Sequence, residues 1–134
     1  MNDHASIYHL VVEPELHAQT EGALYHPANL AHDGFVHCSN EASVLPVAND
    51  YYAEVAETLL VLEIDPAKLT SEVRYEAAAP IPGGGTSHLE GEPQFPHVYG
   101  PLDVAAIAGV GVLGRSADGY TWPESFVPLG SLGR

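Results

Sequence analysis

The sequence predicts a small single domain of the α+β class. Segments with strand patterns and two main segments with helical patterns follow one another without a regular strand–helix–strand repeat, which is typical of α+β folds. The 134 residues suffice for one hydrophobic core, and a 46% share of hydrophobic residues is ordinary for a globular protein. We therefore expect one domain over residues 1–134, with its core over about 6–113 and an irregular tail over 114–134.

The first predicted elements are a strand, a helix and a loop. Residues 6–12 are rich in β-branched and aromatic side chains, which favour a strand. Pro14 is typical of a first helical position and Gly22 of a residue that follows a helix, so we expect a surface helix over 14–21. Turn-forming residues then indicate a loop over 23–33 that contains one helical turn.

A short strand over 34–39 and the main helix over 44–57 come next. The helix is indicated by apolar side chains that recur at helical spacing, namely Val44, Val47, Ala48, Tyr51, Tyr52 and Val55. A proline in a helix interior removes a hydrogen bond and clashes with the preceding turn. We therefore start the helix at Val44, so that Pro46 falls in its first turn.

The second half of the chain predicts mostly strands. The apolar run over 58–64 is almost continuous, which is typical of a central strand buried on both faces. Shorter strands are indicated over 73–76, 95–100 and 109–113. The glycines and prolines over 77–94 predict a long irregular loop, which is either a binding loop or a disordered insertion.

The chain is strongly acidic, and this limits its expected partners. It has 18 acidic and 4 basic residues, which gives a formal net charge of -14. Nucleic-acid phosphates and anionic membrane surfaces are bound by clustered Lys and Arg, so we expect neither as a partner. No apolar run is long enough to span a bilayer, and the first residues show no secretory pattern. With a single cysteine, Cys38, these observations lead us to expect a cytoplasmic protein.

Three histidines lie within otherwise apolar strand segments: His9, His37 and His97. An imidazole is costly to bury unless its nitrogens find partners, and near neutral pH it can act as acid, base or hydrogen-bond donor. Strand alternation puts Ser39 on the face of His37 and Tyr99 on the face of His97. We predict that three strands bring His9, His37, His97 and Tyr99 together in one cleft as the candidate catalytic residues.

The same segments predict neither a metal site nor an activated nucleophile. Cys38 directly follows His37, so the two side chains point to opposite faces of the strand and can hardly share a metal ion. The sequence contains no zinc-binding spacing and no nucleophile elbow. Glu63 lies in the central strand and needs a partner, for which we expect Arg74, with Glu76 close by.

Several separate motifs resemble a bacterial family known as a domain of unknown function, numbered 952. They occur in the order of the family pattern over about residues 6–113, and they are Ile7-Tyr8-His9, residues 34–39, Val47-Ala48-Asn49, residues 60–65 and residues 95–102. The tail after Gly114 lies outside the resemblance, and the loop over 77–94 is longer here than in the family pattern.

The resemblance implies a fold and a ligand, because this family has been grouped with the ADP-ribosyltransferase superfamily. That superfamily binds NAD in the cleft of a split, mainly antiparallel sheet. By position, His9 would hold the nicotinamide ribose, His37 would lie by the nicotinamide, and His97 or Tyr99 would complete the set. Contacts to this small-molecule ligand would also come from neighbouring side chains, for which we expect Tyr8, Phe35, Ser39, Glu63, Arg74 and Glu76.

The sequence leaves three functions open. The superfamily often supplies a Glu from a late strand, whereas residues 95–100 contain none, which weakens the case for ADP-ribosyl transfer or glycohydrolysis. A transfer that resembles the RNA 2′-phosphotransferase branch is disfavoured by the low positive charge. The alternatives to an enzyme are a binding or sensor module without catalysis, and a structural protein whose histidines are core residues.

Overall fold

A computed structural model describes residues 6–76 and 95–129 of the chain. The predicted loop over 77–94 lies outside the described residues. In chain order the elements are β1 Ile7–Val12, α1 Glu13–Gln19, β2 Thr20–Glu21, β3 Leu24–Tyr25, α2 Leu30–Asp33, β4 Val36–His37, α3 Glu41–Tyr51, β5 Leu59–Ile64, β6 Glu72–Glu76, β7 Phe95–Tyr99, β8 Leu102–Asp103, β9 Ile107–Val112, β10 Gly114–Ser116, β11 Gly119–Thr121 and β12 Phe126–Val127. Single 3₁₀ turns occur at Pro66–Lys68 and Val104–Ala106.

The main sheet has four antiparallel strands in the order β1-β5-β9-β12. The central position predicted for the 58–64 segment is confirmed, since β5 lies between β1 and β9. Leu60, Leu62 and Ile64 pack into one hydrophobic cluster, whereas Leu59 and Val61 pack into a second cluster on the opposite face. Both faces of β5 are therefore covered, which explains its almost continuous apolar sequence.

A second antiparallel sheet of three strands, in the order β4-β7-β6, carries five of the ten predicted site residues. Its inner face contributes Val36, Cys38 and Val98 to the first cluster. The two sheets meet where Tyr8 and Ser39 exchange backbone hydrogen bonds, with N–O distances of 2.8 and 2.7 Å. The structure is thus a small α+β domain built mostly from antiparallel strands.

A third small sheet is formed by β2, β3 and β8.

Helix α3 covers the second cluster, but its bounds differ from the prediction. It begins at Glu41 because the side-chain oxygen of Asn40 accepts the backbone N–H of Ser43 and so caps the first turn. Pro46 consequently lies inside the helix, whereas we expected it in the first turn, so the predicted start was wrong. The helix also ends earlier than predicted, at Tyr51, and residues 52–55 continue as turn and loop.

The tail is more regular than the sequence suggested. Strands β10 and β11 form a hairpin, and β12 pairs with β9 at the edge of the main sheet. Tyr120 on the hairpin is buried against Leu113 and Val44 in the second cluster. The expectation of an irregular tail was therefore wrong for the described part, because Tyr120 and Phe126 provide apolar surface that pairing and packing remove from water.

The other differences are smaller. Helix α1 begins at Glu13, and the predicted helical turn within 23–33 is α2. The strand predicted over 34–39 forms a ladder only at Val36–His37, with a bridge at Ser39. Within the described residues, no helix is long and apolar enough to cross a membrane.

Candidate functional site

A pocket of about 530 Å³ opens between β1, β4 and the end of α3. The strands contribute His9, His37 and Ser39 to its wall. Helix α1 contributes Glu15, and the last turn of α3 with the following residues 52–55 forms the opposite wall. The pocket thus lies where the two sheets meet, beside the bridge between Tyr8 and Ser39.

The proton of His9 is placed by its hydrogen-bond partners. The Nδ1 atom lies 2.8 Å from the backbone oxygen of His37, and a carbonyl oxygen can only accept, so Nδ1 carries the proton. Burial lowers the pKa of His9 and keeps the imidazole neutral. The Nε2 atom is therefore an acceptor, and its contact is the hydroxyl of Tyr25 at 3.5 Å. At 3.5 Å this contact is at the outer limit for a hydrogen bond, so Tyr25 engages Nε2 only weakly.

His37 is oriented by a carboxylate that the sequence analysis did not identify. Its Nε2 donates to Oδ2 of Asp33 at 3.0 Å. The other carboxylate oxygen of Asp33 accepts from His32 Nδ1 at 2.9 Å. Both hydrogen bonds lower the pKa of Asp33 and keep it ionised, and the bond from His32 has the larger effect. Asp33 ends α2, so the short helix and the following left-handed Gly34 set the orientation of the His37 ring.

A second cluster of polar side chains lies on the outer face of the β4-β7-β6 sheet. The Oε1 atom of Glu76 accepts from His97 Nδ1 at 2.8 Å and from the hydroxyl of Tyr99 at 2.6 Å. Both hydrogen bonds lower the pKa of Glu76, and the bond from Tyr99 has the larger effect. Phe35 stacks on the His97 ring with 4.3 Å between centroids, and the guanidinium of Arg74 lies 4.4 Å from the centre of the Tyr99 ring.

The predicted catalytic residues are neighbours, but they do not share one cleft. His37 and His97 lie opposite each other in the β4–β7 ladder, with 5.7 Å between their ring centroids. His9 and His37 line the pocket, whereas His97 and Tyr99 do not. His97 is only 2% exposed and is covered by the ring of Phe35. The structure therefore places the four residues in two adjoining groups, with His37 in contact with both.

Three predicted ligand-binding residues lie elsewhere or pair differently. Tyr8 packs edge-on against Trp122 in the second hydrophobic cluster, with 5.6 Å between their rings. Glu63 accepts from the hydroxyl of Ser6 at 3.2 Å. Arg74 pairs with Glu72 at 3.1 Å, so the expected Glu63–Arg74 pair was wrong. The reason is topological: β5 belongs to the main sheet and β6 to the second sheet.

Sequence reasoning missed Glu15 in the pocket wall and two residues that contact the pocket histidines, Tyr25 and Asp33. Glu15 was treated as part of a surface helix, and Tyr25 and Asp33 as loop residues. The sequence contains one indication of the role of Asp33, namely its position directly before Gly34. Asp and Gly favour a turn, and a turn here places the Asp33 carboxylate near the strand that follows. The remaining pocket residues are brought together by chain segments that are distant in sequence.

We find no metal-binding cluster among residues 6–76 and 95–129. In these ranges, no three side chains of His, Cys, Asp or Glu lie close enough together to hold a metal ion. Cys38 is buried on the inner face, opposite His37, and burial raises its pKa above its usual range. Its thiol therefore stays protonated and is shielded from the pocket.

Comparisons with known proteins give a family and a fold. The sequence model of a family described as "Protein of unknown function (DUF952)" matches residues 10–110. A crystal structure of protein CC0527 from Caulobacter crescentus is similar, with 25% identity and a TM-score of 0.68 over 86% of this chain and 91% of that chain. The solution structure of CC0527 has 25% identity and a TM-score of 0.64 over 90% and 92% of the two chains. The search of curated proteins found no match.

Proposed function

This chain belongs to the DUF952 family, and from that premise we propose that it binds a small molecule in the pocket between β1, β4 and the end of α3. The observation that carries the proposal is the pocket itself, with two oriented histidines in its wall. Its volume of about 530 Å³ falls within the range of ligand sites, about 300–1,000 Å³. A structural role for His9 and His37 would not require a cavity beside them.

We propose NAD or a related nucleotide as the ligand, with its nicotinamide-ribose end in the pocket. The grouping of this family with the ADP-ribosyltransferase superfamily, as the sequence resemblance implies, supports this ligand through the positions of His9 and His37. The hydrogen bonds support it as well, because the Nε2 lone pair of a neutral His9 is suited to accept from a ribose hydroxyl. Ser39 in the same wall offers a hydroxyl that can donate or accept.

Binding is tested by calorimetric titration with NAD and with ADP-ribose. His9→Ala and His37→Ala should each weaken binding by about ten-fold or more, as expected for the loss of one or two hydrogen bonds in a closed site. The matched control is His32→Ala, because His32 binds the same Asp33 carboxylate but its side chain is 80% exposed. Flat titrations of the unmodified protein with both ligands would remove NAD from consideration.

A second candidate function, ADP-ribosyl transfer or glycohydrolysis, is favoured by Glu76. Cleavage of the bond between ribose and nicotinamide builds positive charge on the sugar, which a carboxylate can stabilise. Residues 95–100 lack a Glu, but Glu76 on the neighbouring strand contacts both His97 and Tyr99. However, Glu76 is not part of the pocket wall, and for this reason we place binding first.

The two candidates differ in whether nicotinamide is released. Incubation with NAD for hours, followed by chromatography, should show release that Glu76→Gln reduces by at least about ten-fold if the carboxylate stabilises the transition state. Glu72→Gln is the control, because Glu72 lies on the same strand and pairs with Arg74 instead. NAD binding without any released nicotinamide would identify a binding module without catalysis.

A further inference from the structure

The charged groups in the pocket wall are all acidic. Glu15, Asp50 and Glu54 contribute carboxylates to the wall, and its described residues include no Lys or Arg. The nearby Asp33 carboxylate is shared by His32 and His37. An anionic group such as a phosphate would therefore enter against negative charge, whereas a cation would be attracted.

Glu15 is the wall carboxylate whose charge reaches the inner histidine His9. Its charge also acts on Tyr25 and Tyr52, and of these two Tyr52 lines the pocket. Burial, helped by Glu15, raises the pKa of Tyr52 to about 12, so this phenol stays neutral. One oxygen of Glu15 also accepts the backbone N–H of Ala28 at 2.9 Å, which fixes the carboxylate in place.

The aromatic residues around Glu15 suit a positively charged ligand. Tyr51 and Tyr52 belong to the wall at the C-terminal end of α3. The faces of aromatic rings attract cations. The wall therefore combines a fixed carboxylate with aromatic side chains, and both favour a cation.

One cationic side chain contacts this wall from another direction. Arg115 on β10 donates to the backbone oxygens of Ala53 and Val55, and weakly to that of Tyr52. Its guanidinium also lies 4.7 Å from the centre of the Tyr120 ring. Because its donors are used by these carbonyl groups, Arg115 strengthens the wall and does not serve as an anion receptor inside the pocket.

We propose that the part of the ligand that enters the pocket is an organic cation, either a protonated amine or a quaternised aromatic nitrogen, and that Glu15 is its counter-charge. This inference rests on the proposed binding function and names the chemical class that the pocket selects. Phosphate groups of a larger ligand would remain outside the acidic wall.

Three ring compounds of similar size and different charge test the inference on the unmodified protein. They are 1-methylnicotinamide, which is cationic, nicotinamide, which is neutral, and nicotinate, which is anionic at pH 7. Binding is followed by shifts of backbone amide resonances around the pocket during titration to millimolar concentration. The cation should bind about ten-fold more tightly than nicotinamide, as expected for one charge-assisted contact, and nicotinate should bind most weakly.

Variants of Glu15 assign the effect to one carboxylate. Glu15→Gln should abolish the preference for the cation, whereas Glu57→Gln, which removes an exposed carboxylate outside the pocket wall, should preserve it. Circular dichroism verifies that both variants fold. Added NaCl should reduce the preference by screening.

The outcomes separate this inference from the proposed function. Nicotinate binding as tightly as 1-methylnicotinamide, or an unchanged preference in Glu15→Gln, would overturn the inference even if NAD binds. Absence of binding by all three ring compounds would overturn it as well. Tight binding of the cation without any binding of NAD would support it and contradict the proposed nucleotide ligand.

Discussion

At the scale of single residues, two histidines of similar sequence context have different hydrogen-bonding partners. His9 donates from Nδ1 to a carbonyl oxygen, whereas His37 donates from Nε2 to the carboxylate of Asp33. The sequence identified both as unusual, because each interrupts an apolar strand. It could not assign their protons, since the acceptor of His9 is 28 residues away and belongs to another sheet.

The lowered pKa of His9 predicts a dependence of stability on pH. A lowered pKa in the folded protein means that the unfolded chain binds the proton more readily, so stability is lost as the pH falls below about 6.5, the usual value for histidine. His9→Gln cannot titrate, and its free energy of unfolding should decline less steeply between about pH 6.5 and 5 than that of the unmodified protein. Urea denaturation at a series of pH values measures both slopes.

The control for this prediction is His17→Gln, because His17 lies on the exposed side of α1. If the slope belongs to His9, this variant should not remove it. Equal slopes for the unmodified protein and His9→Gln would show that His9 titrates alike in the folded and unfolded chain.

At the scale of elements, the sequence patterns located six of the twelve described strands and the main helix, but not all of their ends. The start of α3 is marked by the Asn40 cap, and Pro46 lies inside a helix whose Val44 and Ala48 are buried in the second cluster. The hairpin of β10 and β11 gave no clear pattern, because its strands are short and its burial is concentrated in Tyr120. It nevertheless supports the pocket, since Arg115 and Tyr120 both bind backbone oxygens of the α3 end and the residues after it.

Arg115→Ala should therefore loosen the pocket wall. Loss of its hydrogen bonds to the carbonyl groups of 52–55 should destabilise this segment by about 1–2 kcal/mol, and hydrogen exchange of its amides should become faster. Ligand affinity should fall together with protection. Arg74→Ala is the control, because Arg74 lies on the second sheet and pairs with Glu72. Unchanged exchange over 52–55 in Arg115→Ala would show that the hairpin does not support the wall.

At the scale of the whole molecule, the dominant feature is the charge of -14 on 134 residues. So large an excess of one sign makes the compact state repel itself, and the repulsion weakens as salt shortens the range of electrostatic interactions. The same excess gives the pocket its acidic wall, so the charge that limits stability also bears on the choice of ligand.

Salt should consequently stabilise this protein. Raising NaCl from about 10 to 150 mM shortens the screening length from about 30 to 8 Å, and we expect the Tm to rise by several degrees. Differential scanning calorimetry measures the shift, and KCl at equal ionic strength should reproduce it if screening is the cause. A Tm that falls with salt would mean that attractive ion pairs outweigh the repulsion, and a constant Tm would mean that the two cancel.

The sequence by itself determined the α+β class, the central strand β5 and the candidate histidines, because each of these follows from local periodicity or from one polar residue in an apolar segment. Only the tertiary structure decided that His9 and His37 share a pocket while His97 and Tyr99 lie beside it. It also decided that Glu15 joins the pocket wall, that Tyr25 and Asp33 contact its histidines, and that Arg74 pairs with Glu72. These contacts join segments that are far apart in the sequence and that only strand pairing and packing bring together. A short sequence pattern cannot predict contacts between such distant segments.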